Sequence, residues 1–437
     1  MNINPNTVSY PPHFSDLKRE IASNYPDFEA RISKAWKEVI EELATATANI
    51  QQGGPSYIPQ VDFKDLDNLT AAKINEIKRR GCIVIKDIVE DGKAIAWKES
   101  LRELVRVNPE VDGFPVDNKQ LFDLYWTKAQ VQARADPNFL KANIWLNNLY
   151  QDKSGKKSEG VDLSVPLAYA DRFRIRKPGF RLETFPPHID GGTIERWEDP
   201  ALRKCFEDIL TGNWRQHDPY DLKGRLDARS SMYGRPNQST VFRTFQGWLS
   251  LSETGPTEGT LGLFPDVLLS NAYIILRPFF KPLVPAGSPD ILDPKSWGID
   301  LESPNFPGLV PIGGGFAGPY PTPFLHPHLF LEKTMTPVPK VYPGDAVFWH
   351  CDMIHSVEKE HLGKEDSTVM YIPAVPYTVQ NFNYVERQRE CFLKGQRPPD
   401  FPKGRSEAAV VGVGKESDIG SDLGRRAMGF PVAESAA

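Results

Sequence analysis

Two short stretches carry the most specific chemistry in the chain. In Pro186-Pro187-His188-Ile189-Asp190-Gly191-Gly192 an imidazole and a carboxylate stand two positions apart. Side chains at i and i+2 of an extended strand share a face, so His188 and Asp190 can hold one metal ion from a single strand. A third ligand must come from elsewhere. The stretch Trp349-His350-Cys351-Asp352-Met353-Ile354-His355-Ser356-Val357 offers two imidazoles, His355 as the best candidate and His350 as its rival. Two histidines and a carboxylate on one face of an ion leave its other positions open, the arrangement of non-haem iron(II) oxygenases. The same donors suit zinc and hydrolysis, and spacing does not separate the two ions. A His-x-Asp pair by itself is common, since many histidines are hydrogen-bonded core residues; the distant histidine gives the set its weight.

These residues need rigid elements to hold them. Phe14 to Ala48 repeats Leu17, Ile21, Phe28, Ile32, Trp36 and Ile40 at helical spacing, and Pro26 divides the run into two helices. After the polar link Gln51-Gln52-Gly53-Gly54-Pro55, Thr70 caps a helix ending at Arg80, with Gly81 in the left-handed cap position. A short buried strand at Cys82–Ile85 and a helix from Gly92 to Val107 follow. Helical patterns resume at Gln120–Ala135 and at Asn138–Tyr150, the second opened by Asp136-Pro137. From Ala168 the pattern changes: Phe173 and Ile175 alternate with Arg172, Arg174 and Arg176 in a strand leading to the metal motif. Further strands are expected at Val241–Leu251, His328–Leu331, Ala346–Trp349, His355–Val357 and Thr368–Ile372, and a helix at Tyr384–Leu393.

Many short strands between proline and glycine turns predict a sandwich or barrel. The expected fold is α+β, with a double-stranded β-helix (jelly-roll, cupin) core, N-terminal helices packed on one sheet, and long insertions. The expected divisions are an N-terminal helical extension over 1–55, a jelly-roll domain over 56–403 with insertions near 195–240 and 278–327, and a loose tail over 404–437. The 437 residues are 40% hydrophobic, enough for a sizeable core, and the net charge is -5. Acidic and basic residues are mixed, which excludes the clustered basic face of a nucleic-acid binder. Cys82, Cys205, Cys351 and Cys391 are too scattered for a disulfide framework or a cysteine-rich zinc module. The polar N-terminus and the lack of a long apolar run predict no signal segment, no membrane span and a cytoplasmic protein.

Longer motifs carry a resemblance. Phe245-Gln246-Gly247-Trp248-Leu249-Ser250-Leu251 with Glu258-Gly259-Thr260-Leu261-Gly262-Leu263-Phe264-Pro265, and Gly344-Asp345-Ala346-Val347-Phe348-Trp349-His350 followed by His355, resemble the phytanoyl-CoA dioxygenase-like branch of the iron(II)/2-oxoglutarate oxygenases. More closely, Arg174-x-Arg176-Lys177-Pro178-Gly179, His188-Ile189-Asp190-Gly191-Gly192 and Glu195-Arg196-Trp197 resemble the domain-of-unknown-function family 1479, over about Asp62 to Phe401. This resemblance implies Fe(II), 2-oxoglutarate and molecular oxygen as cofactors, with His188, Asp190 and His355 as ligands. In that superfamily the ligand opens the strand after the turn, which favours His355 over His350.

One departure bears on the cosubstrate. Most members of the resembled superfamily place an arginine roughly ten positions after the distal histidine, where it pairs with the far carboxylate of 2-oxoglutarate; the stretch His361 to Thr368 has none. A planar guanidinium matches a carboxylate in a bidentate way, so Arg243 and then Arg174 are the expected anchors. Lys364 is the third, and Ser367 or Thr368 would donate a hydrogen bond beside whichever of these cations is used. Arg196, Trp197, Phe245 and Trp248 are the expected substrate contacts, and Asp352 either orients an imidazole or caps its turn. The implied activity is oxidation of an unactivated C–H bond of a small polar molecule, an amino acid or small acid, by hydroxylation. The alternative is oxidative cyclisation of the aziridine type, or desaturation, in secondary metabolite biosynthesis, as the fungal members of that resemblance imply. A cupin metalloenzyme without 2-oxoglutarate and a non-enzymatic ligand-binding barrel stand as rival classes.

Overall fold

The computed structural model of the protein describes residues 8–155, 158–183 and 185–432. The polar lead at 1–7, two residues of the charged loop near 156, and the last five of the expected tail lie outside the described residues. Elements follow in chain order: α1 His13–Ser23, α2 Phe28–Gly53, β1 Gln60–Asp62, α3 Ala71–Arg80, β2 Cys82–Lys86, α4 Asp91–Val107, β3 Gly113–Phe114, β4 Leu121–Phe122, α5 Lys128–Arg134 and α6 Pro137–Asn147. Then come β5 Phe173–Arg176, β6 Phe245–Ser250, β7 Leu261–Leu263, α7 Val267–Leu276, β8 Thr336–Pro337, β9 Ala346–His350, β10 His355–Val357, β11 Ser367–Tyr371 and α8 Val379–Leu393. The caps act where the residue types demand: the Thr70 side chain accepts from the Lys73 N–H, and Gly81 takes φ +71°. Asp136 accepts from two N–H groups at the start of α6.

Eight strands form one sheet in the order β1–β2–β9–β6–β11–β5–β4–β3, with only the β1–β2 pair parallel. Three more form a small antiparallel sheet, β8–β7–β10. Strand alternation divides the large sheet into two faces. Phe173, Ile175, Phe245, Leu249 and Phe348 join one apolar core with Trp97, Leu101, Phe139 and Leu146 of α4 and α6. Arg174, Gln246, Trp248, Trp349 and Tyr371 line a cavity. Gly344, in the turn before β9, has φ +92°, and a Cβ there would lie 2.0 Å from the Val89 carbonyl oxygen. Asp345 beside it accepts the N–H groups of Asp87 and Tyr342 at 2.9 and 2.8 Å, so this Gly-Asp turn locks β9 to the preceding chain.

Several expectations meet a different arrangement. The first two helices do not lie on the sheet. The apolar stripe of α2 (Phe28, Ile32, Trp36, Val39, Leu43) joins a second core with α7 and residues 279–331. Trp36 stacks on Phe280 at 4.5 Å and on Tyr273 at 5.1 Å. The cause is α7, which is buried nearly all round; a helix apolar on every side needs covering on every side. Each such large side chain contributes roughly 1.5–3 kcal/mol on full burial. The helix expected over Gln120–Ala135 is only its second half, because Leu121–Phe122 pairs with β5 as a strand. The strand expected at His328–Leu331 is a helical turn, and the one expected from Val241 starts at Phe245. The segment 404–432 is docked: Ala427, Met428 and Phe430 are buried, and the Glu407 carboxylate accepts the N–H groups of Tyr125 and Trp126 at 3.0 Å.

Candidate metal centre and cavity

His188 stands in an isolated antiparallel bridge with His355 rather than in a longer strand. Each main-chain N–H donates to the other's carbonyl at 2.9 Å, and the ring centroids lie 4.2 Å apart. The Nδ1 atoms of both rings face backbone carbonyls, His188 that of Pro186 at 2.7 Å and His355 that of Met353 at 3.0 Å. A carbonyl can only accept, so each Nδ1 carries a proton, which leaves Nε2 as the atom of each ring able to offer a lone pair to a metal. Both Nε2 atoms point at Asp190, at 3.9 Å from His188 and 3.4 Å from His355. The ligand atoms of the three residues all lie within 4.8 Å of one another. The donor set fits a divalent transition metal: two imidazole nitrogens with their far nitrogens anchored, and one carboxylate.

The surrounding electrostatics keep the set ready for a cation. Burial and then the charge of His355 push His188 down to about 4, so its imidazole is neutral at neutral pH. Burial raises the Asp190 carboxyl, but His188, His355 and Arg243 outweigh it and hold it well below the usual carboxylate range. The Gln246 amide satisfies both neighbours in one orientation: its nitrogen donates to Asp190 at 2.9 Å and its oxygen accepts from the Trp349 indole at 3.2 Å. Gln246 lies directly across from Trp349 in the β6–β9 pair.

The rival histidine is placed elsewhere by alternation. Trp349 faces the cavity, so His350 faces away. It is fully buried, 2.7 Å from the Tyr150 hydroxyl and 3.0 Å from the Pro219 carbonyl oxygen. Burial pushes it down to about 3. His350, Cys351 and Asp352 also place ligand-type atoms together, but Asp352 is committed to Arg196 and Arg225, each at 2.7 Å. Arg196 also donates to the carbonyls of Asp190 at 2.8 Å and Gly192 at 3.1 Å. It thereby ties the loop carrying Asp190 to the loop carrying His355, away from the cavity.

The cavity above the triad has a volume near 410 Å³. Arg174, Arg243 and Trp248 line it; Arg196, Trp197, Phe245, Lys364 and Ser367 do not. Trp197 is buried in the second core, its indole donating to the Ile275 carbonyl at 3.1 Å. Phe245 points to the opposite face of its strand, beside Tyr150 and His350. Lys364 is exposed on the turn before β11, and the Ser367 hydroxyl accepts from Thr254 at 3.1 Å. Arg174 is buried; its Nη2 donates to the Gly259 carbonyl at 3.3 Å, and its Nε has no partner among the described residues. It lies across from Val369 of β11. Sequence reasoning missed Gln246 and Tyr320, whose ring lies 6.2 Å from that of His188. Gln246 was recoverable, because it shares a strand face with Trp248; nothing local marks Tyr320.

Comparison with known proteins agrees over nearly the whole chain. The Gig2-like family model matches residues 8–430, and the chain belongs to that family. It is 31% identical to the uncharacterized protein YbiU of Escherichia coli (strain K12), over 92% of this chain and 93% of that one. The crystal structure of GlcNAc Inducible Gene 2, GIG2 (DUF1479), from Candida albicans superposes with a TM-score of 0.84 at 30% identity, covering 98% of this chain and 92% of that one. A Salmonella typhimurium LT2 protein, named as a candidate oxidoreductase, superposes with a TM-score of 0.79 at 28% identity, covering 98% of each chain. The expected membership of the 1479 family is borne out, with an extent wider than the motifs marked. No helix among the described residues is long and apolar enough to cross a membrane.

Proposed function

We propose that the protein is an iron(II)- and 2-oxoglutarate-dependent oxygenase acting on a small polar molecule. The observation that carries the reading is the convergence of His188 Nε2, His355 Nε2 and the Asp190 carboxylate at one cavity, with both Nδ1 atoms pinned to carbonyls. The large and small sheets enclosing that cavity are read as the two halves of a double-stranded β-helix. The oxidoreductase designation of the Salmonella relative is in keeping with this. His188, Asp190 and His355 would hold the metal. Bound iron would supply the redox chemistry that couples oxidative decarboxylation of 2-oxoglutarate by molecular oxygen to oxidation of an unactivated C–H bond.

The chain's own residues orient and shield. Gln246 fixes one Asp190 oxygen, and Trp349, 5.2 Å from His355, packs beside the ligand ring. Arg174 is assigned to the far carboxylate of 2-oxoglutarate: it is buried in the cavity wall, forked, and incompletely partnered. Leu261 and Val357 of the small sheet line the cavity and keep that end apolar. Hydroxylation is the default outcome, with ring closure or desaturation of an amino acid as alternatives. The deciding experiment is an anaerobic titration of the iron(II)-loaded protein with 2-oxoglutarate. A visible charge-transfer band is expected; a protein that loads iron and gives no band does not bind 2-oxoglutarate at the metal.

A further inference from the structure

The cavity holds more positive charge than metal and cosubstrate together would use. Its charged lining is Asp171, Arg172, Arg174, Asp190, Arg235 and Arg243. Arg172 is paired with Asp171 at 3.1 Å, and Arg235 donates to the Phe316 carbonyl. Arg243 alone has no hydrogen bond or ion pair among the described residues. Its guanidinium is instead held over the Tyr169 ring, 5.7 Å from the centroid. The Tyr169 hydroxyl donates to Asp400 at 3.0 Å, and Asp400 also accepts from the N–H and hydroxyl of Thr240 at 2.9 and 2.7 Å. Asp400 therefore fixes both the ring beneath Arg243 and the chain three residues before it. Phe401, next along, lines the same cavity and packs at a tilt against Tyr125, ring centroids 4.6 Å apart.

Arg243 and Arg174 belong to different walls. Arg174 sits on β5 beside the Gly259 turn, whereas Arg243 precedes β6 beside Tyr169 and the docked C-terminal segment. One cosubstrate carboxylate cannot occupy both. A divalent ion with one carboxylate ligand keeps one positive charge, which a 2-oxoglutarate dianion and Arg174 cancel between them. Arg235 and Arg243 then remain without an ion pair, and Arg243, whose charge is felt by Asp190 and Asp400, also lacks any hydrogen bond among the described residues, in a partly buried site where an unpaired charge is costly.

We infer that Arg243 receives a carboxylate of the substrate, so that the substrate class is small organic acids, amino acids included, and that Arg243 is not the cosubstrate anchor. This deepens the iron–2-oxoglutarate reading and rests on it. The fixed guanidinium on its aromatic platform holds the carboxylate at one wall and leaves the rest of the acid to extend towards Asp190 and the two histidines.

The test uses the full chain loaded with iron(II) and 2-oxoglutarate, with a panel of C4–C8 carboxylic acids and amino acids and the matched primary carboxamide of each. At least one acid should perturb the anaerobic charge-transfer band and, in air, stimulate succinate release, while its carboxamide does neither. In Arg243→Gln the concentration of that acid needed to perturb the band should rise at least about tenfold, the loss expected for one charge-assisted contact. Arg243→Lys should recover part of it. The 2-oxoglutarate titration of Arg243→Gln should stay within about twofold of the unaltered protein, in contrast to Arg174→Gln. Acids and carboxamides acting equally, no acid acting, or a 2-oxoglutarate titration weakened by Arg243→Gln as much as by Arg174→Gln would each overturn the inference while leaving the iron site standing. Absence of the band in the unaltered protein would instead remove the reading beneath it.

Discussion

His188 and His355, 167 positions apart in the chain, are hydrogen-bonded to each other through both main-chain N–H groups at 2.9 Å. The two loops that carry the ligands are therefore one local structure. Arg196 adds a second tie, from the Asp190 carbonyl to the Asp352 carboxylate. A metal ion at this place meets ligands already positioned by backbone and by a buried ion triad, so little ordering remains to be done on binding.

The two histidines of the second motif should separate cleanly on mutation. His355→Ala should lower iron affinity by more than about a hundredfold, since loss of a direct ligand exceeds the 10–100-fold typical of an outer partner. His350→Phe should keep stoichiometric iron and lose stability by about 1–3 kcal/mol, the cost of stranding the Asp352 N–H and the Pro219 carbonyl that the imidazole now satisfies. Metal analysis after desalting and chemical denaturation of both variants measure the two effects.

The 2-oxoglutarate anchor is checked by comparing Arg174→Gln with Lys364→Gln. Removing the Arg174 fork should weaken cosubstrate binding by about 10–100-fold, the loss of one or two charge-assisted hydrogen bonds, with iron affinity unchanged. Lys364, exposed on its turn, should have no effect. The anaerobic absorbance titration reports both, and equal weakening by the two substitutions would contradict the assignment.

Asp352 should matter for stability more than for any proton it carries. Burial raises its carboxyl, but Arg225, Arg196 and His350 outweigh this and hold it well below the usual carboxylate range. A depressed carboxyl contributes stability above its unfolded value near 4, lost as pH falls towards the folded value. Asp352→Asn leaves two arginines in the interior with half their partner and should cost about 3–5 kcal/mol. It should also weaken iron binding by roughly tenfold, because Arg196 no longer ties the ligand loops together. Urea denaturation at pH 7 and a metal titration provide the two readouts.

The docked C-terminal segment carries the opposite pH signature. Burial pushes Glu407 up to about 7, against the lowering effect of the Trp126 and Tyr125 N–H groups and Arg134. Its folded value lies above its unfolded one, so the folded state holds the extra proton and this contribution to stability falls as pH rises between roughly 4.5 and 7. Glu407→Gln should remove that slope, a difference of up to about 3 kcal/mol between pH 5 and 8. Melting curves of the two proteins across that range, compared by difference, isolate the Glu407 contribution from that of the histidines.

Local rules reached far in this chain. The helix ends at Thr70, Gly81 and Asp136 follow from side-chain oxygens and a residue without Cβ, whose preferences need no distant partner. The i, i+2 spacing of His188 and Asp190, and the Gly-Asp turn before β9, were likewise legible, because each is a property of a few consecutive residues. Helical periodicity failed at Leu121–Phe122, where pairing with β5 outweighed local preference, and at α2, whose stripe was correct but whose partner was a helix.

What the sequence determined by itself is thus the His188–Asp190 pair, the two candidate histidines of the second motif, the capped helices and the alternation of the strands. Which face of each strand looks inward was decided only by the assembled sheet. That single choice sends Gln246, Trp248, Trp349 and Arg174 into the cavity, and Phe245 and His350 out of it. A strand shows period two but not its sign, because the sign depends on which neighbours cover each face. The same holds for charge. Arg172, Arg174, Arg196 and Arg243 are alike as residues; Arg172 pairs with its chain neighbour Asp171, but only tertiary contacts assign Asp352 to Arg196. They leave Arg174 and Arg243 facing the cavity, since an ion pair depends on separation in space and not along the chain.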